Sequence, residues 1–256
     1  VAVLHALTSE VAKGNGAVAA LADVVTDIFE EAGFTADQLD VTDLVGTPVI
    51  GYVRTRVMQA RAAIDPLRQA FWFDGFESAP GVKFKKRGGP VVRTFEREEL
   101  GCAIQGTENP SRITTNKQQD QDLPRSVRVH YLSQARDYEL GEQISPVRVD
   151  TDAVNDTDIE LAVVMTDDQG LQVAQVLWAD AWASRWNHTI VVDAENQDLE
   201  PTDCVAVPVD GEVLRTRIVS TVDTVPSLRK LEIVRDDNAA WTSYAVRSEE
   251  RRVGKE

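Results

Sequence analysis

Three histidines (His5, His130 and His188) and two cysteines (Cys102 and Cys204) are the side chains best suited to chemistry near neutral pH. Their spacing argues against it. No His-x-x-x-His or Cys-x-x-Cys pair occurs, so none of them has a neighbour at metal-ligand spacing. There is no phosphate-cradling glycine loop and no nucleophile elbow; Lys13-Gly14-Asn15-Gly16 is too short for a nucleotide motif. With 42 Asp plus Glu, a pair of carboxylates that looks suited to acid/base work is expected by chance. The acidic run Asp150-Thr-Asp-Ala-Val-Asn-Asp-Thr-Asp158 fails the calcium-loop pattern, because Val154 stands where a ligand belongs and no glycine follows. It reads as a solvated turn. The expectation is therefore no catalytic, cofactor-binding or metal-binding residue, no cofactor, and no enzyme.

Two other groups could recognise rather than react. Trp178, Trp182 and Trp186 stand four residues apart and could stack sugars, although at helical spacing such a ladder is more often core. Lys83, Lys85, Lys86 and Arg87 form a basic run in an acidic chain. It reads as a solvated strand edge that resists edge pairing; the alternative is a contact for an acidic neighbour or nucleic acid.

The elements that must position these groups follow from periodicity. Leu21, Val24, Val25, Ile28 and Phe29 form an apolar stripe on a helix expected over 17–32, with Gly33 ending it and Thr35 capping a short helical turn after it. A second helix is expected over 56–70, with Ala60, Ile64 and Leu67 inward and a kink or restart at Pro66. An aromatic strand over 71–76, a turn at 78–81 and a strand over 82–86 complete a helix laid on a hairpin. Val127, Val129 and Tyr131 alternate with Arg128 and His130 as a half-buried strand. A long helix capped by Asp167 is expected to reach Trp186. Strands follow over 189–192, 203–209, 212–221 and 227–234, joined at Asp210-Gly211 by a hairpin turn, with a last strand over 241–246.

The chain of 256 residues is long enough for one large domain or two small ones. The stretch from Gly101 to Pro124 is rich in Gln, Asn, Thr and Asp and reads as a linker. The expected division is a helix-plus-hairpin domain over 1–105, a linker over 106–125, a β-rich domain with one long helix over 126–247, and a non-native or disordered tail over 248–256. The fold class is α+β, two small domains in which helices cover antiparallel or barrel-like sheets. A formal net charge of −15 disfavours binding to phosphate backbones and to anionic membrane surfaces. No apolar run approaches the roughly 20 residues of a membrane helix, and residues 1–16 lack a signal-peptide pattern. Val1 in place of Met suggests a fragment. Cys102 and Cys204 could make one disulfide; two reduced thiols are the favoured reading.

Four segments in order resemble the hub protein of siphophage tail tips and gene transfer agents, a phage tail protein family that follows a TIM-barrel-like domain. They are Leu21–Gly33; Gly51–Gly89, with Phe71-Trp-Phe-Asp-Gly-Phe-Glu77 and Phe84-Lys-Lys-Arg-Gly-Gly89; Arg128–Tyr138; and Leu199–Val209 with the hairpin after it and Leu231-Glu-Ile-Val234. The resemblance implies a structural ring segment, a homotrimer between the tail tube and the host-facing tip. Its implied partners are the distal tail and tape-measure proteins, and its place is the virion tail tip after synthesis in the bacterial cytoplasm. It implies no catalysis, no membrane anchor and no specific nucleic-acid binding. The alternative is a fragment of a tail-associated cell-wall glycosidase, which needs two carboxylates about 5 to 9 Å apart, or a carbohydrate-binding module using the three tryptophans.

Overall fold

In a computed structural model, residues 18–54, 58–79, 81–103, 111–225, 228–237 and 241 are described. Three helices occur among them. Helix α1 (Leu21–Glu31) buries Leu21, Val24, Val25, Ile28 and Phe29, the stripe that its periodicity predicts, and Gly33 follows its end at φ 97°. It is shorter than expected, because Ala19–Ala20 is extended as strand β1. Thr35 then caps a 3-10 turn, Ala36–Gln38, through a capping box.

Helix α2 (Ala60–Phe71) buries Ala63, Ile64, Leu67 and Ala70 and runs through Pro66 without a restart. It takes in Phe71, and Trp72, at φ 53°, turns the chain into the next strand. The aromatic strand therefore begins two residues later than expected. Helix α3 (Asp167–Ala183) is capped one residue earlier than expected, by Thr166: the Gln169 amide donates to Thr166 Oγ1 at 3.2 Å, and the Thr166 amide donates to Gln169 Oε1 at 3.0 Å. Asp167 is instead its first residue. The helix ends at Ala183, so Trp186 belongs to a strand and not to the helical ladder.

The strands form four open sheets. β1 pairs with β3 (Pro48–Val49). The second sheet runs β10 (Leu140–Ile144), β9 (Ser126–Ser133), β11 (Asp156–Met165), β4 (Gly51–Tyr52). The third runs β2 (Leu39–Asp40), β6 (Gly81–Lys86), β5 (Phe73–Ser78). The largest runs β7 (Val91–Thr94), β13 (Cys204–Val209), β14 (Glu212–Val225), β15 (Leu228–Arg235), β12 (Trp186–Asp193), β8 (Ile113–Lys117). β13 and β14 are joined at Asp210-Gly211, both at positive φ as a type I′ turn requires. The α+β class holds, and the sheets stay open: no barrel closes among the described strands.

Two main cores result. The first unites α1, α2 and α3 with the four- and three-stranded sheets around Leu21, Phe29, Leu67, Phe73, Phe84, Val129 and Tyr131. Phe84 meets Phe29 edge-on at 5.1 Å and Phe73 at 6.1 Å. The second fills one face of the six-stranded sheet with Ile190, Val205, Ile218, Leu231 and Ile233, joined by Phe95 and Leu100. Each core takes residues from both sides of the 106–125 stretch, and within that stretch Ile113–Lys117 pairs with β12.

Tyr131 shows how tightly the first core is fitted. Its ring lies between Gly141 of β10 and Gly170 of α3; a Cβ at those positions would come within 2.8 and 2.5 Å of it. Its hydroxyl donates to Asp167 Oδ1 at 2.6 Å, which fixes the ring against the start of α3.

Candidate functional site: a charged seam between the two cores

Where the first core meets the second, the contact is ionic. β6 alternates, so Lys83 and Lys85 point away from Phe84, toward the segment before β13. Lys83 Nζ lies 2.8 Å from Glu200 Oε2, and Lys85 Nζ lies 2.5 Å from Asp203 Oδ1. Ser78 Oγ donates to the other Glu200 oxygen at 3.0 Å. Asp203 Oδ2 accepts the Glu200 amide at 2.8 Å, so the two acids are set by one another. Lys86 Nζ donates to the Thr47 hydroxyl.

Arg87 continues the line inward. Its guanidinium grips Asp74 of β5 with two bonds, 2.7 and 2.8 Å, and Asp180 of α3 with one of 3.1 Å. Arg217 of β14 reaches the same two acids from the second core, Asp180 at 3.0 Å and Asp74 at 3.8 Å. Arg68 adds a third guanidinium to Asp74 at 3.3 Å. Beyond Arg217, Asp236 accepts Arg215 Nε–H at 2.7 Å, Trp241 Nε1–H at 2.7 Å and the Cys204 thiol at 3.4 Å. The Trp241 ring faces both Arg87 and Arg217, at 5.9 and 5.8 Å. The side chains are largely withdrawn from water: Asp74 is 19% exposed, Arg87 16% and Arg217 7%.

Burial would push the Asp74 carboxyl up, but Arg87, then Arg217 and Arg68, outweigh it and hold it below the ordinary carboxylate range. Glu200 follows the same pattern, with burial opposed by Lys83 and Ser78 and the net shift downward. Lys83 is held up, chiefly by its bond to Glu200. The Cys204 thiol is pushed to about 12 by burial and by Asp236, so it stays protonated and is a poor nucleophile. These carboxylates are committed to guanidinium or ammonium partners. What the arrangement does is lock two cores in one relative position.

The residues singled out from sequence fall elsewhere, except for the basic run. Lys83, Lys85, Lys86 and Arg87 are neither a free strand edge nor a patch awaiting a neighbour: they are paired within the chain, because Glu200, Asp203 and Asp180 fold back onto them. Trp182 is buried with its indole N–H on the Pro124 carbonyl at 2.9 Å and Arg148 over its ring at 4.1 Å. Trp178 donates to the Arg125 carbonyl and packs on both neighbouring clusters. Trp186 is faced by Lys117 and Arg185 at 5.3 and 5.9 Å. The three rings therefore make no sugar platform. His130 lies between Glu142 and Asp158 at 3.8 and 3.9 Å on the outer face of β9. His188 is buried, bonded through Nδ1 to Thr115 Oγ1 at 2.8 Å. Cys102 and Cys204 are both free thiols. Of the acidic run, Asp150 pairs with Arg148, and Asp156 with Arg125 and Ser126. Among the described residues no group of three His, Cys, Asp or Glu is arranged to hold a metal. His5 and the strand expected over 241–246, apart from Trp241, lie outside the described residues.

Asp74, Asp180, Arg217 and Asp236 were not foreseen. One signal was available: Asp74 is a lone charge in the aromatic run Phe71-Trp-Phe-Asp-Gly-Phe, a place where a carboxylate needs a cation.

Comparisons with known proteins agree with this architecture. No curated protein sequence matches. Among solved structures, a chain from the "Virion of native gene transfer agent (GTA) particle" superposes with TM-score 0.76 at 24% identity, over 87% of this chain and 48% of that one. The tail protein from Neisseria meningitidis MC58 superposes at 0.53 with 13% identity, over 90% of this chain and 71% of that one. The 43 kDa tail protein of prophage MuSo2 from Shewanella oneidensis does so at 0.51 with 11% identity, over 87% and 64%. This chain thus spans about half the length of the gene transfer agent chain. The family model described as "Putative phage tail protein" matches residues 59–221, well over half of the sequence, and the chain belongs to that family.

Proposed function

We propose that this chain is a structural segment of the hub ring at the tail tip of a phage or gene transfer agent, a homotrimer set between the tail tube and the host-facing tip. Its neighbours in that reading are the distal tail and tape-measure proteins. The observation that carries the reading is the seam: a side-chain network with Asp74, Arg87, Asp180 and Arg217 at its centre holds two cores in fixed register, as a rigid ring segment requires. Family membership and the likeness to a chain of a gene transfer agent virion support the same assignment. The reading is non-enzymatic. The seam carboxylates are paired, the buried thiol is protonated, Trp182 is buried, and Trp186 lies on a strand rather than in a helical ladder with the other two, which weakens the glycosidase and carbohydrate-binding alternatives. The net charge of −15 suits a wall past which DNA moves without adhering. Gold-labelled antibody against this chain, applied to assembled particles, is expected to mark the tail tip. Label along the tail tube or on the capsid would refute the placement.

A further inference from the structure

Three of the four residues in the basic run are spent on acids: Lys83 on Glu200, Lys85 on Asp203, and Arg87 on Asp74 and Asp180. Lys86 is the exception. Alternation along β6 turns it to the face of Phe84, opposite to Lys83 and Lys85. Its ammonium donates to the Thr47 hydroxyl and has no carboxylate at ion-pair distance among the described residues. Asp43 accepts its backbone amide at 3.0 Å, and not its ammonium.

Lys86 and Thr47 stand on the wall of a cavity of about 360 Å³ where the end of α2 meets the first turns of α3. That volume is at the low end of the range for small-molecule sites. The rest of the wall is mainly apolar and aromatic, with Phe71, Trp72, Met165, Val173 and Trp241. The rings of Trp72 and Trp241 lie 6.4 Å apart. Gln169 and Gln172 add side-chain amides; the Gln169 carbonyl is taken by the Thr166 amide, which leaves its NH2 group to donate. No described Asp or Glu lines the cavity, in a chain of net charge −15. Arg87 reaches it too, but its charge is matched by Asp74 and Asp180, so one uncompensated positive charge remains.

Trp72 carries two costs at this place. It is held at φ 53°, which is unfavourable for a bulky residue, and its indole N–H is shut off from water with no acceptor among the described residues. Costs of this kind tend to be kept where a protein binds something.

We propose that this cavity is a binding site for a small aromatic monocarboxylate, its carboxylate on Lys86 and its ring against Phe71, Trp72 and Trp241. The single free cation selects one negative charge, because a second charge would find no partner in an acidic chain. The aromatic walls select the body. The site does not depend on the tail-tip placement.

Isothermal titration calorimetry of the full chain with 3-phenylpropionate, and with the neutral 3-phenylpropionamide, tests it. The acid is expected to bind, and the amide to bind weaker by about tenfold or more, the effect of losing a hydrogen bond between charged groups. Lys86→Met should lose the acid to the same extent, and Lys86→Arg should retain it. Lys117→Met, which removes an exposed lysine on β8, should bind as wild type does. Nuclear magnetic resonance of the wild type keeps the test independent of how any variant folds. Of the five indole N–H signals, the acid should shift those of Trp72 and Trp241 and leave those of Trp178, Trp182 and Trp186 in place. Absence of binding at millimolar acid, equal affinity for acid and amide, a folded Lys86→Met that binds like wild type, or shifts confined to the other three tryptophans would each overturn the site.

Discussion

Replacing Asp74 with Asn tests whether the seam holds the molecule together. The change keeps the shape and removes one charge from among three guanidiniums, those of Arg87, Arg68 and Arg217. Removing one partner of a buried ion pair costs about 3–5 kcal/mol, because the cations left behind stay desolvated. Asp180 still holds Arg87 at 3.1 Å and Arg217 at 3.0 Å, which places the expected loss at the lower end, about 3 kcal/mol. For a chain of this size each kcal/mol lowers Tm by about 2–4 °C, so the variant should melt on the order of 10 °C below wild type. The pH dependence gives a second readout. The Asp74 carboxyl is depressed in the folded protein, so its contribution is complete above the ordinary carboxylate value of about 4 and is lost as pH falls through the lower folded value. Asn does not titrate, so the gap between variant and wild type should start to narrow below about pH 4 and close only as pH falls through the lower folded value. Urea titrations of both proteins at pH 7 and at pH 3.5 measure it. A loss under about 0.5 kcal/mol at pH 7, the range of an ordinary surface substitution, would refute the account of the seam. A gap that stays unchanged in acid would refute its electrostatic origin.

Burial holds His188 below the ordinary histidine value against a smaller upward pull from Asp210, so its neutral form favours folding above about pH 6.5 and that benefit fades as pH falls. The urea midpoint of wild type should therefore drop between pH 7.5 and 5.5, and that of His188→Leu should drop less. Iodoacetamide at pH 8 should modify Cys102 and spare Cys204 in the folded protein, with both modified in urea; mass spectrometry of tryptic peptides reads the difference. Gly170→Ala sets a helix-propensity gain of about 1 kcal/mol against a clash with Tyr131, whose ring is pinned by Asp167 and Gly141. The clash should win, with a net loss of about 1–2 kcal/mol in thermal unfolding.

What could be read from the sequence was local. Asp210-Gly211, the stripe on Leu21–Glu31, the Thr35 cap and the alternation of Val127, Val129 and Tyr131 are each set by neighbours within a few residues, and each appears in the structure. Errors of one to three residues arose where two signals overlap, as at Phe71 and Trp72, apolar enough for helix or strand, and at Asp167, which follows a threonine equally able to cap. The seam was hidden for a different reason. Lys83 and Lys85 find partners more than a hundred positions away, and nothing near them in sequence announces Glu200 or Asp203. Strand β8 was hidden by its polarity: Thr114, Thr115 and Asn116 edge a sheet without burying anything, so the composition reads as a linker.

The interleaving of the cores has a consequence for synthesis. Val91 takes its place beside Cys204, and Phe95 and Leu100 wait for Ile190, Val205 and Leu231. At about 5–20 residues per second, β7 leaves the ribosome on the order of ten seconds before the strand that receives it. During that interval Val91 and Val92 have no strand to pair with. The rate at which Cys204–Val209 emerges would set how long that exposure lasts.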